Sequence, residues 1–226
     1  MLAPMSPEFA SLQLTLVDRF VQLGLGSPAL GVHQLTNFQR RLGVGTPTDP
    51  PSNELWIDLL GTIDSVSTHD DRVDAVMAAL SSLPPAVPEH IARGWPTVGA
   101  FSIEIFGAVA RTHFYATDSD DVSPLHPTKL DIRRHELRGV LDAVRQDHPE
   151  LERVAGGSWL YTTSSYASLF PAAHVDTAVV RRGRRTFRGM SHWGQFLHHR
   201  GNLRVDLADQ FRDRVRTWTG DDPCAL

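Results

Sequence analysis

The run "RTHFYATDSDDVSPLHP" gathers His113, Asp118, Asp120, Asp121 and His126 into one short segment. Histidine titrates near neutrality and can take up and return a proton under physiological conditions, so His113 is a general-base candidate. Glu104, a few residues upstream, is a second proton acceptor. The same residue types make up the histidine-plus-carboxylate set of a non-haem iron or other divalent metal site, which leaves His113, Asp118 and His126 as alternative ligands. Aspartate and serine also bond their own backbone in turns, so a polar strand end running into a turn needs these letters as well.

A second candidate is "RVAGGSWLYTTSSYASLFP". Gly156 and Gly157 permit a bulge or a positive φ, and such a bulge can leave backbone N–H groups aimed at a developing oxyanion. Ser158 offers a hydroxyl there, and Tyr161 a phenol able to protonate a leaving thiolate. Ser158 does not sit in the G-x-S-x-G order of a hydrolase elbow, and His174 with Asp176 does not complete a triad by spacing. The other reading is a buried corner with Trp159 and Leu160 in the core. A third segment, "VVRRGRRTFRGMSHWGQFLHHR", surrounds Gly183 with Arg181, Arg182, Arg184 and Arg185 and adds Arg188 before Gly189. Paired guanidinium groups and free amides there would grip phosphate, and a solvated hairpin tip has the same composition. His192 and His199 fall two helical turns apart, about 11 Å, too far to share one metal from a straight helix.

The elements that must hold these residues change character along the chain. To about residue 95 the pattern is helical. "SPEFASLQLTLVDRFVQLG" offers Ser6 as N-cap and Pro7 at the first helical position, places Phe9, Leu12, Leu16, Phe20 and Leu23 near one face, and stops at Gly24. "SNELWIDLLGTIDSV" and "HDDRVDAVMAALSSL" repeat the logic, with Ser52 or Asn53 and then Asp70 as caps. The turn-rich "TPTDPPSN" precedes them, and "LPPAVPEHIARGWP" marks a connector through its four prolines. From there "TVGAFSIEIFG" and "AVARTHFYATD" alternate as an antiparallel hairpin around Gly107. A helix follows over "TKLDIRRHELRGVLDAVRQDHPE", then a strand through "ERVAGGSWLYT", a short helix over "SSYASLF", a strand through "HVDTAVV", and two terminal helices. The predicted fold class is α+β: a helical N-terminal region over 1–95, packed on a mixed, mostly antiparallel sheet with helices over 96–226.

Bulk properties narrow the chemistry. The chain of 226 residues is 41% hydrophobic and 21% charged, with a formal net charge of -4, which argues against a surface built wholly for nucleic acid or anionic lipid. Cys224 is the single cysteine, so an internal disulfide and a cysteine-based zinc site are excluded. Lys129 is the single lysine among 22 basic residues, so lysine-based covalent catalysis would rest on it alone. With no basic start followed by an apolar run, the expected location is cytoplasmic, without a membrane partner.

From about Phe101 to Arg185, the order of hairpin, acidic loop with "PLHP", long helix ending in "DHPE" and then "GGSWLYTTSSYASLFP" is similar to the C-terminal part of a family of bacterial acyltransferases with a GNAT-like fold. The resemblance implies a helical N-terminal domain before a GNAT-like sheet. Ser158, Trp159, Leu160 and Tyr161 would match a family strand, and Leu169, Phe170 and Pro171 the turn after its short helix. Gly157 stands where the family pattern has a histidine, and "RRGRRTFRG" would have to replace a glycine-rich pyrophosphate loop. The expectation is acyl transfer from a thioester such as acyl-CoA, as co-substrate, to a small-molecule amine or hydroxyl. In it His113 or Glu104 acts as base, Gly156 and Gly157 hold the oxyanion near Ser158, Tyr161 acts as acid, and Arg182, Arg184, Arg185 and Arg188 grip the donor, with no metal. The alternatives are a metal enzyme on His113, Asp118 and His126, and a non-catalytic binder using the arginines with Phe187 and Trp193.

Overall fold

The computed structural model describes residues 5–44, 53–83, 87, 89–115, 118, 120–179 and 184–221. In chain order the elements are α1 (Pro7–Gln22), α2 (Pro28–Leu35), α3 (Phe38–Arg41), α4 (Glu54–Ser65), α5 (His69–Ser81), α6 (Glu89–Ala92), β1 (Thr97–Val98), β2 (Phe101–Phe106), β3 (Val109–Phe114), α7 (Leu130–Asp147), β4 (Arg153–Gly156), α8 (Ser164–Ala167), α9 (Ala172–Val175), α10 (Met190–Gly194) and α11 (Val205–Thr217). Short 3-10 turns lie at Pro127–Lys129, Trp159–Thr162 and Arg184–Arg188. The fold class is α+β, as the patterning predicts.

Two compact units divide the chain. Residues 87–179 form a sheet unit, and the segments on either side of it together form a helical unit. The expected 96–226 domain therefore does not describe the molecule, because α10 and α11 belong with the N-terminal helices. The reason is apolar: Phe187, Trp193, Phe196, Phe211 and Trp218 are buried in the same core as Phe9, Leu12, Leu16 and Phe20 of α1. Trp193 donates its indole N–H to the carbonyl of Phe187 at 2.7 Å, so the ring is buried without losing a hydrogen bond.

Helix starts follow local chemistry. Ser6 accepts from the N–H of Phe9, with Pro7 at the first turn, and Asn53 accepts from Trp56. For α5 the cap is Thr68, which accepts from Asp71, and Asp70 lies inside the first turn instead. The segment "TPTDPP" lies outside the described residues.

In the sheet unit the strand order is β1-β2-β3-β4, antiparallel for the first two pairings and parallel between β3 and β4. Gly107 turns the β2–β3 hairpin at φ 56°, a conformation open to glycine without Cβ strain. Phe101, Ile103 and Ala110 pack with Leu137, Val140 and Val144 of α7, so one sheet face carries the core. Of the two strands expected after α7, one is shorter than expected and the other is replaced at its start by a helix. The strand at "ERVAGGSWLYT" ends at Gly156, and Ser158 then caps a 3-10 turn over Trp159–Thr162. Pro171 precedes the short helix α9, so "HVDTAVV" begins in helix rather than strand.

Candidate functional site

The β2–β3 register pairs Ser102 with His113, Glu104 with Arg111 and Phe106 with Val109. Side chains alternate across a sheet, so these six share the face opposite α7, while Phe101, Ile103, Thr112 and Phe114 look toward it. On the face away from α7, His113 Nε2 lies 3.1 Å from Glu104 Oε2, and Arg111 Nη1 approaches the same oxygen at 3.5 Å. An ionised carboxylate only accepts, so the bond places the imidazole proton on Nε2. Both side chains keep partial access to solvent, 24% for His113 and 21% for Glu104.

Aromatic rings frame this pair. Trp95 stacks on His113 with centroids 4.6 Å apart, Tyr115 lies parallel to it at 6.4 Å, and His90 of α6 meets Tyr115 at 4.2 Å. Arg93 sits 5.7 Å over Trp95. The result is a hydrogen-bonded imidazole–carboxylate pair beside aromatic rings, an arrangement that can take up and return a proton.

The remaining expected residues are not gathered around it. Gly156 pairs in register with Thr112, and neither Gly156 nor Gly157 has a positive φ, so no bulge opens an oxyanion pocket. Gly156 is small because Tyr161 lies against it: a Cβ there would fall 2.3 Å from the phenol oxygen and 3.0 Å from Thr112 Oγ1. Ser158 Oγ accepts from the N–H of Leu160 at 3.2 Å and works as a cap. Tyr161 lies on the Thr112 face, in the core with Tyr166 and Phe170, and its hydroxyl contacts His174 Nε2 at 3.1 Å. Burial pushes the Tyr161 phenol up, against hydrogen bonds that pull the other way, and burial pushes Tyr166 up further. The sheet thus separates Tyr161 from His113, and the two cannot serve one reacting carbon.

The metal alternative is dispersed in the same way. Asp118 pairs with Arg133 and Lys129; its partial burial opposes ionisation, but these partners outweigh it and hold the carboxyl below the usual range. His126 caps the Pro127–Lys129 turn by accepting from Thr128. Among the described residues, no three histidine, cysteine, aspartate or glutamate side chains are grouped to hold a metal ion.

Of the arginines, Arg182 lies outside the described residues. Arg184 and Arg185 begin the 3-10 turn Arg184–Arg188, in the helical unit. Arg188 lies near enough to His33 to lower its pKa, after burial, which lowers it most. Phe187 and Trp193 are wholly buried and offer no exposed ring to a base or partner.

Composition leaves one cavity of the sheet unit unannounced. A groove of about 480 Å³ is walled by Leu137, Leu141, Val154 and Phe170, with Arg138 and His174 on its lining. Its signal in the sequence is the arginine pair four apart, Arg134 and Arg138, on an otherwise apolar helix face. Arg134 is paired with Asp131 at 2.7 Å. The groove is apolar with a cationic margin and lies on the α7 side, away from the His113 dyad.

No family model, curated protein or solved structure matches the chain.

Proposed function

We propose that the chain transfers an acyl group from a thioester donor such as an acyl-CoA to the amine or hydroxyl of a small molecule, with His113 as general base. The observation carrying this reading is the His113–Glu104 hydrogen bond of 3.1 Å on a partly open sheet face. Glu104 orients the imidazole and stabilises the imidazolium formed when the acceptor loses its proton. The acceptor then attacks the thioester carbonyl, the C–S bond breaks, and the departing thiolate takes up the proton from His113. The Trp95 shelf beside the dyad is the surface for the acceptor or the donor's arm. Tyr161, Ser158 and Gly156 drop out of this proposal, since each has a packing or capping task, and Gly157 drops out with them because it has no positive φ.

The test is release of free thiol from acetyl-CoA and a longer acyl-CoA with a panel of small amines and alcohols. His113→Ala should lower kcat/KM by about 100-fold or more, the scale of a lost general base. Glu104→Gln should lower it less, because the amide still accepts a hydrogen bond. Full activity in His113→Ala, or no thiol release with any acceptor, rejects the proposal.

A further inference from the structure

The helical unit contains a chemistry-bearing cluster that the sheet-face reading does not use. Ser11 and Asp18 lie seven residues apart on α1, two turns along one helix face. His69, the first residue of α5, bridges them. Its Nε2 lies 2.8 Å from Ser11 Oγ, and its Nδ1 lies 2.5 Å from Asp18 Oδ2. Arg72 fixes the carboxylate from the other side, donating to Asp18 Oδ1 at 2.7 Å, and also reaches the carbonyls of Val66 and Ser67. A hydroxyl, an imidazole and an oriented carboxylate in that order form a nucleophilic relay, which is recognised by geometry and roles rather than by chain order.

A cleft of about 390 Å³ adjoins the relay; His69 and Asp18 line it, and Ser11, 2.8 Å from His69 Nε2, lies beside the lining rather than in it. Arg19, Arg212 and Arg216 also line it, three guanidinium groups against the single Asp18 carboxylate. Arg19 is held by the carbonyl of Trp218 through two hydrogen bonds, at 3.0 and 2.8 Å, and Arg212 and Arg216 pair with Asp209 and Asp213 on their own helix. A clasp joining two helices needs the hydrogen bonds but not a cationic cleft against the imidazole. Small anionic esters match this lining in size and charge.

We infer that Ser11, His69 and Asp18 form an esterase centre whose substrates are small esters bearing a carboxylate or phosphate. Ser11 Oγ attacks the ester carbonyl carbon while its proton passes to His69 Nε2, and Asp18 holds the imidazolium. The tetrahedral intermediate collapses, the bond to the alcohol oxygen breaks, and His69 returns the proton to the departing alcohol. Water then attacks the acyl-serine by the same route, releasing the acid and restoring Ser11. Ser11 sits inside a helix whose backbone N–H groups are bonded along its axis, so the backbone offers no donor to the oxyanion, and the cleft guanidinium groups serve to hold the anionic group of the substrate.

The experiment treats the full chain with a fluorophosphonate probe and locates the adduct by intact mass and peptide mapping. In parallel it follows p-nitrophenyl acetate and the p-nitrophenyl monoester of succinic acid. One phosphonyl group on Ser11 is expected, absent in Ser11→Ala and formed at least about 100-fold more slowly in His69→Gln. The succinate ester should be preferred over the acetate, and Arg212→Ala with Arg216→Ala should erase that preference. Alanine favours helix, so Ser11→Ala should keep the parent circular dichroism spectrum. An unlabelled Ser11 in the folded parent, or equal labelling rates in the parent and His69→Gln, overturns the inference.

Discussion

One methyl group separates the two readings of the glycine pair. In an oxyanion pocket Gly156 and Gly157 would both be needed for their backbone; in the observed strand end only Gly156 is constrained. A Cβ at Gly156 meets Tyr161 Oη at 2.3 Å, and that hydroxyl is held by His174, whereas a Cβ at Gly157 has its nearest neighbour, Arg111 Nη2, at 3.8 Å. Gly156→Ala should therefore cost about 1–3 kcal/mol, the usual range for overpacking a core, and Gly157→Ala should be close to neutral. Urea denaturation of the two variants measures the difference. Equal losses would mean that the phenol moves aside freely and that another constraint acts on both glycines.

At the scale of elements, the acidic loop is explained by α7 rather than by chemistry. Arg133 is buried at 2% exposure, donates to both carboxylate oxygens of Glu136 at 2.9 and 2.7 Å, to the carbonyl of Pro124 at 3.0 Å, and also pairs with Asp118. Glu136 in turn accepts from the N–H of Ala100, beside Gly99, where φ is 54° and a Cβ would strike the carboxylate. One buried guanidinium thus ties the loop before α7 to the helix, and through Glu136 ties the helix to the β1–β2 turn. Arg133→Ala leaves a buried carboxylate without its counter-ion and should cost about 3–5 kcal/mol by urea denaturation. Adding Glu136→Leu should recover only part of this, because the Ala100 N–H then loses its acceptor.

These particulars show what a linear reading can reach. The starts of α1 and α4, the hairpin about Gly107 and the length of α7 are legible, since caps, glycine and apolar period coincide within a few residues. His113 and Glu104 are legible as chemistry, and their meeting follows from the hairpin register. Tyr161 is misplaced by the same reading because a 3-10 turn replaces the second half of the expected strand and swings the ring onto the α7 face. Ser11, Asp18 and His69 escape it for a different reason. His69 lies 58 residues from Ser11 and 51 from Asp18, so only the packing of α5 on α1 joins them. The seven-residue spacing of Ser11 and Asp18 is the one local sign.

Across the whole molecule the two units carry opposite lessons about acid. In the helical unit burial pushes His192 down to about 4, with Phe187 against its ring at 4.1 Å and no access to solvent at Nε2. A depressed histidine favours the folded state fully above its unfolded pKa near 6.5, and that advantage fades as pH falls toward 4, because the unfolded chain binds the proton first. The loss amounts to about 3 kcal/mol over that interval. His69 runs the other way: its hydrogen bond to Asp18 raises its pKa, so its contribution is present below 6.5 and fades as pH rises through its folded value. In the sheet unit Asp118 is held down, after its burial is outweighed, and loses its contribution only as pH falls below the ordinary carboxylate range. Hydrogen exchange read by mass spectrometry at pH 7, 6, 5 and 4, corrected for intrinsic rates, separates the units by peptide. Protection in α1 and α11 should fall between pH 6 and pH 4 while β2 and β3 stay protected, and His192→Gln should flatten the fall. A slope unchanged in His192→Gln would place the acid-sensitive group elsewhere in the helical unit.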